Sequence, residues 1–411
     1  MPVVPTPVLD LEDGIPQGLR VRDDFLGEGG WSIVHRGDIS GGRVAVKTFN
    51  AQVLKDVDEN VQQHRFTKEV NSLKALGART MAPPVSGLNG FPDCPGGDFF
   101  VKLLGYSKSE GRPGPARDGR FYTILELGEE RLDQWLSKTK KSMPKVWALT
   151  GFADVARALF SALHHLHTRG LVHLDIKPEN IMRFGTCWKL IDLECCMQID
   201  AGTFVSIDDI TPLYASPELA EAVIAAYKVG ATTLLPPTSA MDIWAAGVVL
   251  LDVLAEGCCF SEMKASFDLA ALFEEEAFLN ESWYRWLSSS EPLDFRSLLG
   301  SCTALDGQLE QFLNLILAKE PALRQSARQL RDHELLQVPQ DKGRQVVERV
   351  FSSAGREREH LALYSRTMLM EVLVGIGVST KDAECVLDAL CKHLGYDDFS
   401  YTSFLNFLYH A

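Results

Sequence analysis

The chain has 411 residues, 46% hydrophobic and 23% charged, which is ordinary for a globular protein and long enough for two or three compact units. Its formal net charge of −14 argues against nonspecific nucleic-acid binding, which needs Lys and Arg to neutralise phosphates, and favours basic partners. The nine cysteines are odd in number and scattered, with no CxxC pair, so neither a disulfide framework nor a zinc site is indicated; they read as reduced thiols of a cytoplasmic protein.

Residues 1–18 carry Pro2, Pro5 and Pro7, which disfavour helix, and read as an extended tail. No basic start leads into an apolar run there, so no secretory signal is expected. A β pattern begins at Leu19. Gly27 and Gly29 fall on a hairpin where backbone amides can approach a triphosphate without Cβ obstruction, and Val44-Ala-Val-Lys47 is an alternating strand ending in a lysine. An amphipathic helix follows over Asp56–Leu76, with Phe66, Val70, Leu73 and Leu76 on one stripe and Glu69 beside it. The Pro- and Gly-rich Thr80–Asp98 reads as a surface insertion; Phe99–Leu103 and Tyr122–Glu126 read as strands.

Phe152–Gly170 reads as a long amphipathic helix whose His164, His165 and His167 lack acidic or cysteine companions and are given no function. It runs into Leu171–Met182, LVHLDIKPENIM, where Asp175, Lys177 and Asn180 stand in the order of a phosphoryl-transfer loop: an acid for a hydroxyl proton and an amide for Mg²⁺. Trp188–Asp192 is a short strand ending in a second acid. The most apolar stretch, Ala245–Ala255, is interrupted by Asp252 and too short to span a bilayer, so no membrane partner is expected.

From Gln340 the chain turns to a tail rich in Met, Leu and Phe. Leu361, Tyr364, Met368 and Val372 follow helical spacing, Ser379 with Asp382 suggests a cap, and Phe404, Phe407 and Leu408 form a last stripe. The ending faintly resembles an EF-hand, but Lys392, Leu394 and Tyr396 stand where calcium needs acids or amides, so no calcium is expected and a helical hairpin is the plain reading.

The ordered series of glycine loop, Lys47, Glu69, Asp175, Asn180, Asp192 and Thr211-Pro-Leu-Tyr-Ala-Ser-Pro-Glu218 resembles the eukaryotic-type protein kinases of the serine/threonine kind over roughly Leu19–Leu336. That resemblance implies an α+β bilobal fold, with a β-rich N-lobe over 19–127, a helical C-lobe over 128–336 and an extension over 337–411. It implies ATP and Mg²⁺ as cofactors and protein substrates; Glu179 beside the loop and the acidic net charge point to a basic substrate motif. Leu26, Gly27 and Gly29 would cover the nucleotide, Val34 and Ala45 would sandwich the adenine, and the Glu126 carbonyl and Gly128 amide would meet its edge. Lys47, paired with Glu69, would hold the α and β phosphates; Asp175 would orient the substrate hydroxyl and take its proton, Lys177 would offset charge on the γ-phosphate, and Asn180 with Asp192 would bind the metal. A buried column of Leu73, Leu103, Leu193 and His173, and a pairing of Arg324 with Glu218, are also implied; small-molecule kinases lack the substrate platform around Glu218.

Four positions depart from the pattern. Ser32 replaces the third glycine, Leu174 replaces the arginine of His-Arg-Asp, and Leu193 and Glu194 replace the Phe and Gly of Asp-Phe-Gly. Without that arginine, activity is expected not to depend on phosphate at Thr203, Ser206 or Thr211. Glu194 is expected to adopt a glycine's backbone angles only at a cost and to restrict Asp192. These departures keep a second reading open, a pseudokinase acting as a scaffold or allosteric partner.

Overall fold

The computed structural model describes residues 18–28, 32–40, 42–49, 59–77, 99–139, 146–185, 187–255, 260, 263–267, 278, 280–299, 307–336 and, in the C-terminal part, 363–367, 369–370, 380, 383–384, 387–388 and 398–400. The N-terminal tail, the insertion before Phe99, Gly29 and Trp31 of the glycine loop, and Leu361, Met368, Val372, Ser379, Asp382, Lys392, Leu394, Tyr396, Phe404, Phe407 and Leu408 of the tail lie outside them.

The first half is built on a five-stranded antiparallel sheet. Strands β1 (Arg20–Glu28), β2 (Ser32–Ile39) and β3 (Gly42–Phe49) form a meander; helix α1 (Glu59–Gly77) follows, then β4 (Leu103–Tyr106), a two-residue hairpin of β5 (Lys108–Ser109) and β6 (Arg112–Pro113), and β7 (Tyr122–Glu126). The sheet order is β1-β2-β3-β7-β4, so β3 lies in the middle with Lys47 opposite Val34 on one side and Thr123 on the other. Period-2 alternation in β3 buries Val44 and Val46 on one face with Ile124 and turns Ala45 and Lys47 to the other. The strand expected at Phe99–Leu103 starts later: Phe100 instead bridges Leu190, with Val101 N–H donating to the Leu190 carbonyl at 3.0 Å, which ties this segment to the second lobe. The α1 stripe is as expected. Phe66 and Val70 pack with Tyr106 and Phe121, while Leu73 and Leu76 join the main core.

Beyond β7 the chain becomes mainly helical. Strand β8 (Glu130–Arg131) leads into α2 (Leu132–Thr139) and α3 (Val146–His167), followed by β9 (Leu171–Val172), β10 (Ile181–Phe184), β11 (Cys187–Leu190) and β12 (Met197–Gln198). Helices α4 (Pro217–Val229) and α5 (Ser239–Leu254) carry the core, backed by a helix over Gly307–Ile316. Every residue from Met241 to Leu254 is buried, so α5 is the central post of this lobe. A Cβ on Gly247 would lie 2.6 Å from Ile316 and 2.7 Å from Leu317; only glycine lets the two helices approach this closely. Among the described residues of the tail, Tyr364 lies not in a helix but in strand β13 (Leu363–Ser365), which pairs antiparallel with β14 (Asp398–Ser400). Apolar Leu369, Ala383 and Leu387 are fully buried.

Cys195 and Cys196 are free thiols, but Cys187 is disulfide-bonded. This corrects the reading of all nine cysteines as thiols, and with it the argument from cysteine usage to a reducing compartment.

Candidate active site

Between the sheet and the helical lobe lies a cleft of about 950 Å³. It is lined by Leu26, Gly27, Val34, Ala45, Lys47, Glu69, Glu126 and Gly128 from the upper side and by Asp175, Lys177, Asn180 and Asp192 from below, every predicted site residue except Gly29. The volume lies within the range of small-molecule and cofactor pockets. Gly128, on the cleft lining, lies against Met182: a Cβ there would be 2.2 Å from Met182 Sδ, so any side chain would have to displace it. Glu126 is fixed at the rim: its carboxylate accepts from Lys102 N–H at 2.8 Å and Lys189 Nζ at 2.6 Å.

The upper half of the site is one buried ion cluster. Lys47 Nζ donates to Glu69 Oε1 at 2.8 Å and to Asp192 Oδ1 at 3.0 Å, and lies 2.6 Å from Glu194 Oε1. Burial acts to lower the ammonium's pKa, but three carboxylates outweigh it and hold it well above its usual value. Burial likewise pushes Glu69 up, to about 7, with Glu194 and Asp192 adding repulsion against the pull of Lys47. Glu194 also is raised by burial, whereas at Asp192 burial is outweighed by Lys47 and the carboxyl is held below its ordinary range.

The lower half is organised around Asp175. Its Oδ1 accepts from Lys177 Nζ at 2.9 Å and Thr211 Oγ1 at 2.9 Å, and its Oδ2 accepts from Asn180 Nδ2 at 2.8 Å. Asn180 Nδ2 also donates to the Asp175 carbonyl at 2.8 Å, which turns its amide oxygen the other way. The loop is anchored from beneath by buried Asp242, which accepts from the N–H groups of His173 and Leu174, both at 2.8 Å, and lies 2.9 Å from His167 Nε2. His167 therefore has a structural partner that the sequence reading did not assign, and Thr211, read there only as a phosphate acceptor, touches the central acid. Both signals were legible, in the histidine ending the helix before the loop and in the Thr-Pro opening the Thr211–Glu218 motif.

The strain expected at Glu194 falls elsewhere. Left-handed φ angles are taken by Leu174, 68°, and Asp192, 60°, and not by Glu194, whose side chain turns inward to Lys47. Leu193 is fully buried in the same apolar cluster as Leu73, with Leu103 packed against it, and His173 is fully buried too. Farther down, Arg324 forms a two-pronged pair with Glu218 at 2.8 and 2.7 Å, the contact the resemblance implied.

Compared with known families, residues 21–336 match the protein kinase domain. The chain belongs to the protein kinase family. This kinase is similar to the serine/threonine-protein kinase PKZ1 of Phytophthora infestans, 25% identical over 327 residues, or 75% of this chain and 68% of that one. It is similar also to the serine/threonine-protein kinase mos of Patiria pectinifera, 25% identical over 58% of each chain, and to a membrane-associated tyrosine- and threonine-specific cdc2-inhibitory kinase of Drosophila melanogaster, 23% identical over 60% of this chain and 39% of that one. The chain thus spans about half the length of several curated relatives it matches. Among the described residues no helix is long and apolar enough to cross a membrane.

Proposed function

We propose that the chain transfers the γ-phosphate of ATP to serine and threonine hydroxyls of protein substrates. The observation that carries this reading is the convergence of Lys177, Thr211 and Asn180 on the Asp175 carboxylate, in the same cleft as the Lys47–Glu69 pair. A carboxylate held from three sides is fixed in direction, so a substrate hydroxyl meeting it is oriented for attack and can pass it a proton. Lys177 Nζ, beside that carboxylate, supplies positive charge where the transferring phosphoryl group would pass, and Lys47 is placed to take the more distant phosphates.

Asn180 and Asp192 fit Mg²⁺: the amide oxygen is turned away from Asp175, Asp192 is held ionised, and both are hard oxygen donors facing the cleft. When bound, the ion would bridge phosphate oxygens and offset their charge. Exposed Glu129, Glu179 and Asp208 on the cleft rim, with the overall negative charge, favour a substrate carrying basic residues. In the same reading residues 337–411 are a separate extension that binds no calcium.

Glu194 favours a second reading, in which the fold is a scaffold. With three carboxylates around its ammonium, Lys47 is already satisfied, and nucleotide phosphates must compete for it. Phosphate transfer from ATP and Mg²⁺ to a generic basic protein separates the two readings. Wild type is expected to transfer phosphate; Asp175→Asn should lose about 100-fold or more of the rate, and Lys47→Met should be silent. Equal silence of all three folded proteins, with no rise in melting temperature on adding nucleotide, would favour the scaffold.

A further inference from the structure

Helix α1 brings Glu69 to Lys47, yet the cluster it enters holds Glu69, Asp192 and Glu194 around a single ammonium. Asp192 and Glu194 compete with Glu69 for that ammonium, so the Lys47–Glu69 contact depends on where α1 is held. One turn before Glu69, Arg65 Nη2 donates to Asp209 Oδ1 at 2.9 Å, with the two side chains 17% and 20% exposed. Spacing of four residues puts Arg65 and Glu69 on one face of the helix.

Asp209 is itself held from the lower lobe. It ends the short turn Ile207–Asp209, in which the Ser206 side chain accepts from Asp208 N–H. Just upstream, Val205 exchanges backbone hydrogen bonds with Leu234 and Leu235, at 2.9 and 3.0 Å, and Ile207 N–H donates to the Thr232 carbonyl at 2.9 Å. Val205 is buried in an apolar cluster with Leu219 and Met241, against which Leu174 packs. An aliphatic side chain thus stands where an arginine would have received a phosphate, and apolar packing holds the segment from below.

We propose that the Arg65–Asp209 ion pair is the link by which this segment positions α1 and the Lys47–Glu69 contact, a built-in carboxylate serving where other chains would add a phosphate. The inference rests on the phosphotransfer reading for its effect on rate, but its effect on α1 is independent of that reading. Arg65 and Asp209 are positioning residues, because neither meets the reacting atoms.

The test uses Arg65→Glu, Asp209→Arg and the exchanged pair carrying both substitutions, in the full chain after phosphatase treatment. Two quantities are read: kcat for phosphate transfer from ATP to a generic basic protein, and hydrogen exchange of the α1 amides. Each single variant should lose about tenfold in kcat and exchange faster in α1, and the exchanged pair should recover most of both losses. Single variants that match wild type in both readouts, or an exchanged pair no better than the worse single variant, would overturn the link. If wild type itself transfers no phosphate, the phosphotransfer reading falls, while the loss and recovery of α1 protection still decides the ion pair; a single variant too unstable to assay leaves the exchanged pair to decide.

Discussion

Lys47, at 5% exposure, shares its one positive charge among Glu69, Asp192 and Glu194. Burial, with repulsion from Glu194 and Asp192 added, lifts the Glu69 carboxyl to about 7 in the folded chain, against about 4.5 for an ordinary glutamate. Between those values the folded state binds more protons than the unfolded state, so this group's contribution to stability falls as pH rises from about 4.5 to 7. Glu194→Gln removes a repelling neighbour and brings Glu69 down. The variant should gain melting temperature over wild type at pH 7 and above, and gain little or nothing near pH 5; an equal difference at both pH values would contradict this account of the cluster. The residue types at this site were legible from spacing alone, but their arrangement was not. Sequence shows that Glu194 stands at a glycine position, yet only the backbone shows that the strained angles belong to Leu174 and Asp192 and that Glu194 faces inward.

At the scale of elements, α4, α5 and the segment before Ala327 are pinned together by Arg324. Its side chain is 1% exposed, donates to Glu218 and to the carbonyls of Ala318, Ala240 and Lys319, and lies 5.1 Å from the centre of the Trp244 ring. Replacing it by alanine leaves Glu218 and those carbonyls short of a partner, which should cost about 3–5 kcal/mol of stability. Arg324→Lys should recover little of this, since one ammonium cannot reproduce a planar fork. Denaturant unfolding checks both, and a lysine variant as stable as wild type would contradict the role given to the fork. The apolar stretch Ala245–Ala255 made α5 the most legible of these, because a buried post is almost continuously apolar. Strand boundaries were less so: Phe99–Leu103 reads as a strand by composition, but Phe100 and Val101 are held by Leu190 across the lobes, a contact no local pattern encodes. Tyr364 misled for the same reason, since its spacing suits a helix while its partner, Phe399, comes from far along the chain.

Across the whole molecule, polar side chains that join the two lobes include, among the described residues, Lys47, which lies 2.6 Å from Glu194. Lys47 also reaches Asp192, Arg65 reaches Asp209, and Glu126 accepts from Lys189, so the upper sheet and α1 are set by β11, the residues just after it and the turn ending at Asp209. The lower lobe around them is itself tied together, Asp175 by Thr211 and Lys177, the loop by Asp242, and Val205 by backbone pairing with Leu234 and Leu235. The cleft is assembled by the chain alone, with Lys47 on Glu69 and Asp192 turned toward it. Leu174, read from sequence, led to the expectation that phosphate is not needed; the Asp209 contact was invisible in the sequence, because an aspartate in a loop carries no mark of the arginine it will meet 144 residues away.

The most direct measurement is therefore the rate of phosphate transfer from ATP and Mg²⁺ to a basic protein by wild-type chain stripped of phosphate, with Lys47→Met as the blank. The geometry predicts an undiminished rate after phosphatase treatment and none from the blank. A stripped chain that is inert until Thr203, Ser206 or Thr211 is phosphorylated, or inert under every condition while still folded, would contradict it.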